Sequence, residues 1–408
     1  MGHDVAAVVP PPHYERDLGI HDWWQTVISS KSRNEPEAGP SGELIYRTAF
    51  LPAGRSLSLR ILNQATVAFG ALWEIIRQPK WLRKFDTDLV IGTVPALPTS
   101  IVALIASRVL RVPFVIDLRD AWPDLLTESE GWNRATGKRS VRERLLTKGP
   151  FQVLRYLTKA SVNLALRKAD AILVTSSYLA DDLRQRPELI NRGEAPEVVV
   201  VRNLFPPQSP LPKRTDLLNS RSQGQLNVLY AGTLGRAQNL QNVLEAFELA
   251  RDMGADINLR MIGAGVSREA LTQYIQEHNL DIVIEGRKQA SELQEAYEWA
   301  DTALVHLTDW APLQRAVPSK TYELMSSGIH ISGVIAGETA ELIQELQAGH
   351  VVAPESPLEL ANLWARLAKS PELLKVSGQG AAWVESQRID EVPARVKNLI
   401  ERLGGNHA

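Results

Sequence analysis

Not one of the 408 residues is a cysteine. Disulfide scaffolding, thiolate nucleophiles and zinc–thiolate sites are thereby excluded, and the composition suits a reducing compartment such as the cytoplasm. Histidine is sparse too: there are eight, none in an H-E-x-x-H or similar spacing, so no protein-held metal is expected. Neither sign of charge is in excess, with 45 Lys and Arg against 47 Asp and Glu and a formal net charge of -2. That balance removes the global electrostatic case for nucleic-acid binding. Long apolar runs are also missing. The longest, residues 90–110, is broken by Pro95, Pro98, Thr99 and Ser100, and reads as strand, turn and helix rather than as a membrane span.

What is present is an ordinary globular composition, 44% apolar and 23% charged, in a chain too long for a single core. Short apolar runs alternate with helical patterns. Strands are predicted over residues 4–9, 44–47, 89–93, 114–118, 171–175 and 198–201, and then over 227–231, 258–262, 282–285, 302–306, 329–335 and 350–352. Such alternation implies parallel sheets with right-handed crossovers. Pro206, Pro207, Pro210 and Pro212, followed by an Asn-Ser-Arg-Ser-Gln-Gly tract, mark a linker between the two sets. The predicted division is a first domain over 1–205, a linker over 206–226 and a second domain over 227–385. A terminal helix over 386–408 is expected to return to the first domain.

Residues 317–328, Val-Pro-Ser-Lys-Thr-Tyr-Glu-Leu-Met-Ser-Ser-Gly, concentrate the most chemistry. Pro318 and Ser319 are helix-start residues, with Ser319 able to cap, and Gly328 is a stop. Lys320 and Glu323 stand three apart and share a helix face. Two readings are open: a surface ion pair, or a cation at a helix N-terminus holding a diphosphate beside a carboxylate that takes ribose hydroxyls.

Further loops follow the predicted strands: residues 232–240 with Gly235, Arg236 and Gln238, the run Gly263-Ala264-Gly265, the run Gly286-Arg287-Lys288, and residues 337–341 with Gly337, Glu338 and Thr339. In an open parallel sheet these loops reach one rim, where backbone N–H groups can cradle phosphate. In the first half, Asp117-Leu118-Arg119-Asp120-Ala121-Trp122-Pro123-Asp124 offers three carboxylates and an arginine, suited to sugar hydroxyls or phosphate or, equally, to a structural salt-bridge cluster. Residues 131–168 carry ten Lys or Arg against Glu143, interleaved with apolar side chains. A second basic–aromatic segment runs from Trp73 to Lys84. Either is a solvated face or a contact with anionic lipid.

With Gly2-His3-Asp4-Val5 and residues 92–99 added, these strings resemble a family-four glycosyltransferase of the GT-B fold, in its WbuB-type branch of O-antigen and capsule amino-sugar transferases. The resemblance implies an α/β architecture of two Rossmann-like, doubly wound parallel-sheet domains facing across a cleft. It implies retaining, metal-independent transfer from a nucleotide sugar, with uridine diphosphate the expected carrier, to a saccharide or polyprenyl-diphosphate-linked acceptor. No cofactor and no nucleic-acid partner are expected, and peripheral contact with the inner face of the cell membrane is.

Residue by residue, the resemblance gives Glu323 the nucleotide ribose, and gives Lys320 and Arg236 the leaving diphosphate. Gly235 and Gln238 fall in the donor loop, and Gly337, Glu338 and Thr339 on the nucleotide side. Arg119 and Asp120 fall where relatives carry a His-Asp pair facing the sugar. Arg315 replaces the family's first carboxylate, eight residues before Glu323, and Thr233 and Gln238 replace its usual Arg and Lys. Relatives begin with one more β-α unit than is found before Gly2, so a missing central strand of the first sheet is expected. A nucleotide-sugar 2-epimerase, and an inactive partner in polysaccharide assembly, are the alternatives.

Overall fold

The computed structural model describes residues 3–11, 36–51, 57–77, 80–94, 98–125, 150–190, 195–205, 224–289 and 292–404. The predicted linker and the basic stretch 131–149 thus lie essentially outside the described residues. Thirteen strands are described: β1 (Ala6–Val9), β2 (Glu37–Ala38), β3 (Leu44–Arg47), β4 (Val90–Val94), β5 (Phe114–Leu118), β6 (Ala171–Val174), β7 (Val198–Val200), β8 (Gln225–Ala231), β9 (Asp256–Ile262), β10 (Val283–Glu285), β11 (Thr302–His306), β12 (His330–Val334) and β13 (Gly349–Val352). All twelve predicted strands are there, shifted by a residue or two at their ends. Only the two-residue β2, antiparallel to β3, was not foreseen.

The second half is one six-stranded parallel sheet in the order β10-β9-β8-β11-β12-β13. Its strands read as continuous apolar runs because both faces are covered. Along β8, Leu226, Val228 and Tyr230 enter one core with Phe247 and Trp364, while Leu229 and Ala231 enter the other with Tyr297, Tyr322 and Leu324. The period-two alternation thus distributes one strand between two helix layers.

The first half differs from expectation: it holds two sheets that are not paired with each other among the described residues. One is β1-β3-β2 and the other is the all-parallel β4-β5-β6-β7. Phe114, Ile116 and Leu118 of β5 pack into a core with Val162 and Leu166 of the helix Pro150–Lys168. Val115, on the opposite face, meets Ala171, Leu173 and Leu399. Leu399 belongs to the helix Val392–Gly404, which crosses from the second half, where Arg395 donates to the Val200 carbonyl at 3.2 Å.

Candidate active site

The six-stranded order runs outward from β8 to β10 and resumes at β11 on the other side, so the chain direction switches between β8 and β11. Ligands of such sheets bind beyond the strand carboxyl ends at that switch. The loops there are stitched together: the Gly232 N–H donates to the Ile262 carbonyl (2.9 Å), the Leu234 N–H to Ala264 (3.0 Å) and the Gly263 N–H to Glu285 (3.1 Å). A Cβ on Gly263 would lie 1.9 Å from the Gly232 oxygen, so only glycine permits this approach. Gly235 caps the 3-10 turn Arg236–Gln238, and the buried Nε of Arg236 has no hydrogen-bond partner among the described residues. An unsatisfied buried guanidinium nitrogen marks a position where an anion would recover lost solvation.

His306, at the end of β11, closes the floor. Complete burial holds its pKa down at about 3, against a contact with the Gln238 backbone. The ring is therefore neutral and accepts from Asn242 Nδ2 at 3.0 Å. On the same edge, Glu285 is occupied by Arg260 and Lys288, which hold its carboxyl at about 2, so Lys288 brings less free charge to the rim than its sequence position suggested.

The helix Ser319–Ser327 presents Lys320 and Glu323. Pro318 rather than Ser319 is its N-cap, no side chain caps it, and Gly328 ends it at φ 69°. Lys320 Nζ lies 2.8 Å from Glu323 Oε2, so the ion pair exists. It is not isolated. The Tyr297 hydroxyl donates to Glu323 Oε1 at 2.6 Å and accepts from Lys320 Nζ at 3.2 Å. Burial and the Glu323 charge raise the pKa of this phenol, so it stays a donor to the carboxylate. Each oxygen of Glu323 keeps a free lone pair, enough for two further donors such as a vicinal diol. Tyr297 was absent from the predicted site, and no local motif announces it.

The other predicted residues divide. Gly337 has φ +74°, and a Cβ there would meet the Gln314 oxygen at 2.0 Å. The Thr339 hydroxyl donates to the Ala316 carbonyl at 2.9 Å. Glu338 is buried and faces the first half: it accepts from Arg202 at 2.8 Å and from the Tyr178 N–H at 2.8 Å. Arg202 also reaches Tyr322, so this network joins the two halves.

Across the cleft, Arg119 is held by Asp117 at 2.7 Å and donates to Asn203 at 3.0 Å. Asp120 is exposed. Desolvation raises its pKa, against the pull of Trp122 and Arg119. Asp124 pairs with Arg186 and, at 2.8 Å, with Arg315; Arg315 also meets Asp182 at 2.6 Å. Arg315 is thus spent on bridging the halves. Of the carboxylates at 117, 120 and 124, Asp117 and Asp124 are ion-paired, and Asp120 makes no ion pair among the described residues.

Two parallel-sheet domains with a phosphate-type rim define a GT-B fold. Residues 1–204 match the family described as glycosyl transferase 4-like domain, and residues 219–382 match glycosyl transferases group 1. The chain belongs to this glycosyl transferase family. A protein of Escherichia coli (strain K12) named as the colanic acid biosynthesis glycosyl transferase WcaI is 22% identical over 292 residues. That match takes in 69% of this chain and 62% of the relative's length. Among solved structures, sucrose-phosphate synthase (tll1590) from Thermosynechococcus elongatus superposes with TM-score 0.69 at 13% identity, covering 99% of this chain and 100% of the other. Anabaena Alr3699/HepE in complex with UDP gives 0.60 at 16% identity, covering 99% and 100%. At these identities the likeness shows the fold. None of these matches supports the epimerase alternative.

Proposed function

We propose that the chain is a retaining glycosyltransferase of the WbuB type, moving an amino sugar from a uridine-diphosphate donor to a polyprenyl-diphosphate-linked saccharide in cell-surface polysaccharide synthesis. The observation that carries this reading is Glu323, oriented on one side by Lys320 and Tyr297, on the rim where Arg236 Nε lacks a partner. Glu323 accepts the two ribose hydroxyls. Lys320 and Arg236 take up the charge that develops on the diphosphate as the anomeric C–O bond breaks. The acceptor hydroxyl attacks from the face the diphosphate leaves and passes its proton to the departing oxygen. This scheme assigns no nucleophile among the described residues and gives no metal a role. Gly337 and the helix that follows it lie on the nucleotide side, and Arg119 and Asp120 face the sugar. HepE, a neighbour in fold, has been solved with UDP and with UDP-glucose, and WcaI is named for colanic acid biosynthesis; both support the donor and pathway class. A polyprenyl acceptor places the work at the inner surface of the cell membrane.

The test is a panel of nucleotide sugars with a polyprenyl-diphosphate saccharide as acceptor, its products separated by mass and anomeric configuration. The expected result is transfer from one UDP-amino sugar with the configuration kept. Transfer from no nucleoside-diphosphate sugar, or inversion, overturns the reading.

A further inference from the structure

Helices of soluble proteins turn polar side chains to water, and two helices of the first half expose apolar stripes as well. Along Leu57–Arg77 the outward stripe is Leu62, Ala65, Phe69, Trp73 and Ile76, at steps of three and four residues. Phe69 is 69% exposed, Trp73 55% and Ile76 56%. Along Pro150–Lys168 the outward stripe is Val153, Leu157, Ala160 and Leu164, flanked by Tyr156 at 72% exposure. Both helices pack against Pro98–Leu110, which lies between them, so the stripes belong to one three-helix layer. A scatter of single apolar residues needs no explanation, but two exposed apolar stripes on helices of one layer do.

The charge on this layer is mostly positive. Its three helices carry seven Lys or Arg and a single acid, Glu74. The carboxyl ends of Pro98–Leu110 and Pro150–Lys168 come together at an open cavity of about 430 Å³, lined by Arg108, Arg111 and Lys168 with Pro113, Phe114 and Leu403. Asp170, the one acid there, is already bonded to the Phe114 N–H at 2.9 Å. Arg111 holds a left-handed φ of 60°, a conformation that costs energy in a residue with a side chain.

We infer that this layer is the surface by which the chain binds an anionic phospholipid membrane: the two apolar stripes enter the interface, and the Arg108–Arg111–Lys168 cavity takes a lipid phosphate. Apolar and aromatic side chains suit the headgroup–acyl boundary, and cations around them suit anionic headgroups. A protein partner or a second copy of the chain would account for the apolar stripes but leave the excess of basic side chains and the basic cavity unexplained. The purpose of the surface rests on reading the acceptor as lipid-borne. Its existence does not, so binding can be measured with neither donor nor acceptor.

The experiment is flotation of the full chain with vesicles of phosphatidylglycerol and phosphatidylcholine, against phosphatidylcholine alone, at low and high salt. Sedimentation velocity is run in parallel. The expected result is binding to the anionic vesicles only, weakened by salt. Phe69→Ser with Trp73→Ser, and separately Arg108→Ala with Arg111→Ala, should each lower the partition coefficient by about ten-fold or more. Both variants should keep the wild-type melting temperature and UDP affinity. Equal binding to neutral vesicles, no binding, unchanged binding by either variant, or a dimer that Phe69→Ser with Trp73→Ser dissolves, overturns the inference. Failure here with transfer intact leaves the proposed function standing; loss of transfer with vesicle binding intact does the opposite.

Discussion

The two halves of the molecule solve the same folding problem differently. The second half covers both faces of its sheet and stitches its rim loops together by backbone hydrogen bonds around glycine approaches that admit no side chain. The first half has its strands in two separate sheets and turns apolar stripes outward. A sheet covered on both faces, with its rim loops tied together, suits a small ligand held in one geometry, whereas an outward apolar layer suits a large, fluid one. Between them lies a charged joint, with Arg202 against Glu338 and Arg315 against Asp124 and Asp182.

The sharpest way to break that contrast is at the joint. Arg202→Met leaves the buried Glu338 without its counter-ion and should cost about 3–5 kcal/mol in urea unfolding, because an uncompensated buried carboxylate is expensive. Arg202→Met with Glu338→Gln should recover part of that loss. A change under about 1 kcal/mol in the single variant would mean that the halves do not depend on this pair.

Next in size is Tyr297→Phe, which removes one hydroxyl from the rim. If Tyr297 positions Glu323, UDP binding should weaken by about ten-fold, or roughly 1–1.5 kcal/mol. The turnover at saturating donor should stay near wild type, and the penalty should shrink when the UDP lacks ribose hydroxyls. An equal penalty with deoxy-UDP would make Tyr297 merely structural.

A further effect appears only in acid. His306 is held neutral, its pKa depressed from 6.5 to about 3, while the unfolded chain takes up that proton below 6.5. Its contribution to stability is therefore complete above pH 6.5 and is lost as pH falls toward 3. Urea midpoints across that range should fall less steeply for His306→Asn than for wild type. Parallel curves would remove His306 from the acid response.

Much of this was legible in the sequence, and what was not has a physical reason. Parallel strands buried on both faces leave contiguous apolar runs, and twelve of them were read that way. The two-residue β2 is too short to show a period, and which strands pair is not written in any strand's own pattern. Lys320 and Glu323 could be paired from spacing because three residues make a helix face. Tyr297 stands 26 residues from Glu323, and Arg202 stands 136 from Glu338, so only the fold brings them together. The same holds for Arg315, legible as a departure from the family pattern but not as a bridge to Asp124, 191 residues away. The basic, aromatic character of the first half was visible, but the direction in which Phe69 and Trp73 point was not.

The central claim is that Glu323 holds the ribose of a nucleotide donor. Calorimetric titration of UDP into the wild-type chain and into Glu323→Ala tests it most directly. The account predicts that the variant binds about thirty-fold more weakly, roughly 2 kcal/mol for hydrogen bonds to a charged carboxylate, with an unchanged melting temperature. Equal affinity for UDP in the two proteins would contradict it.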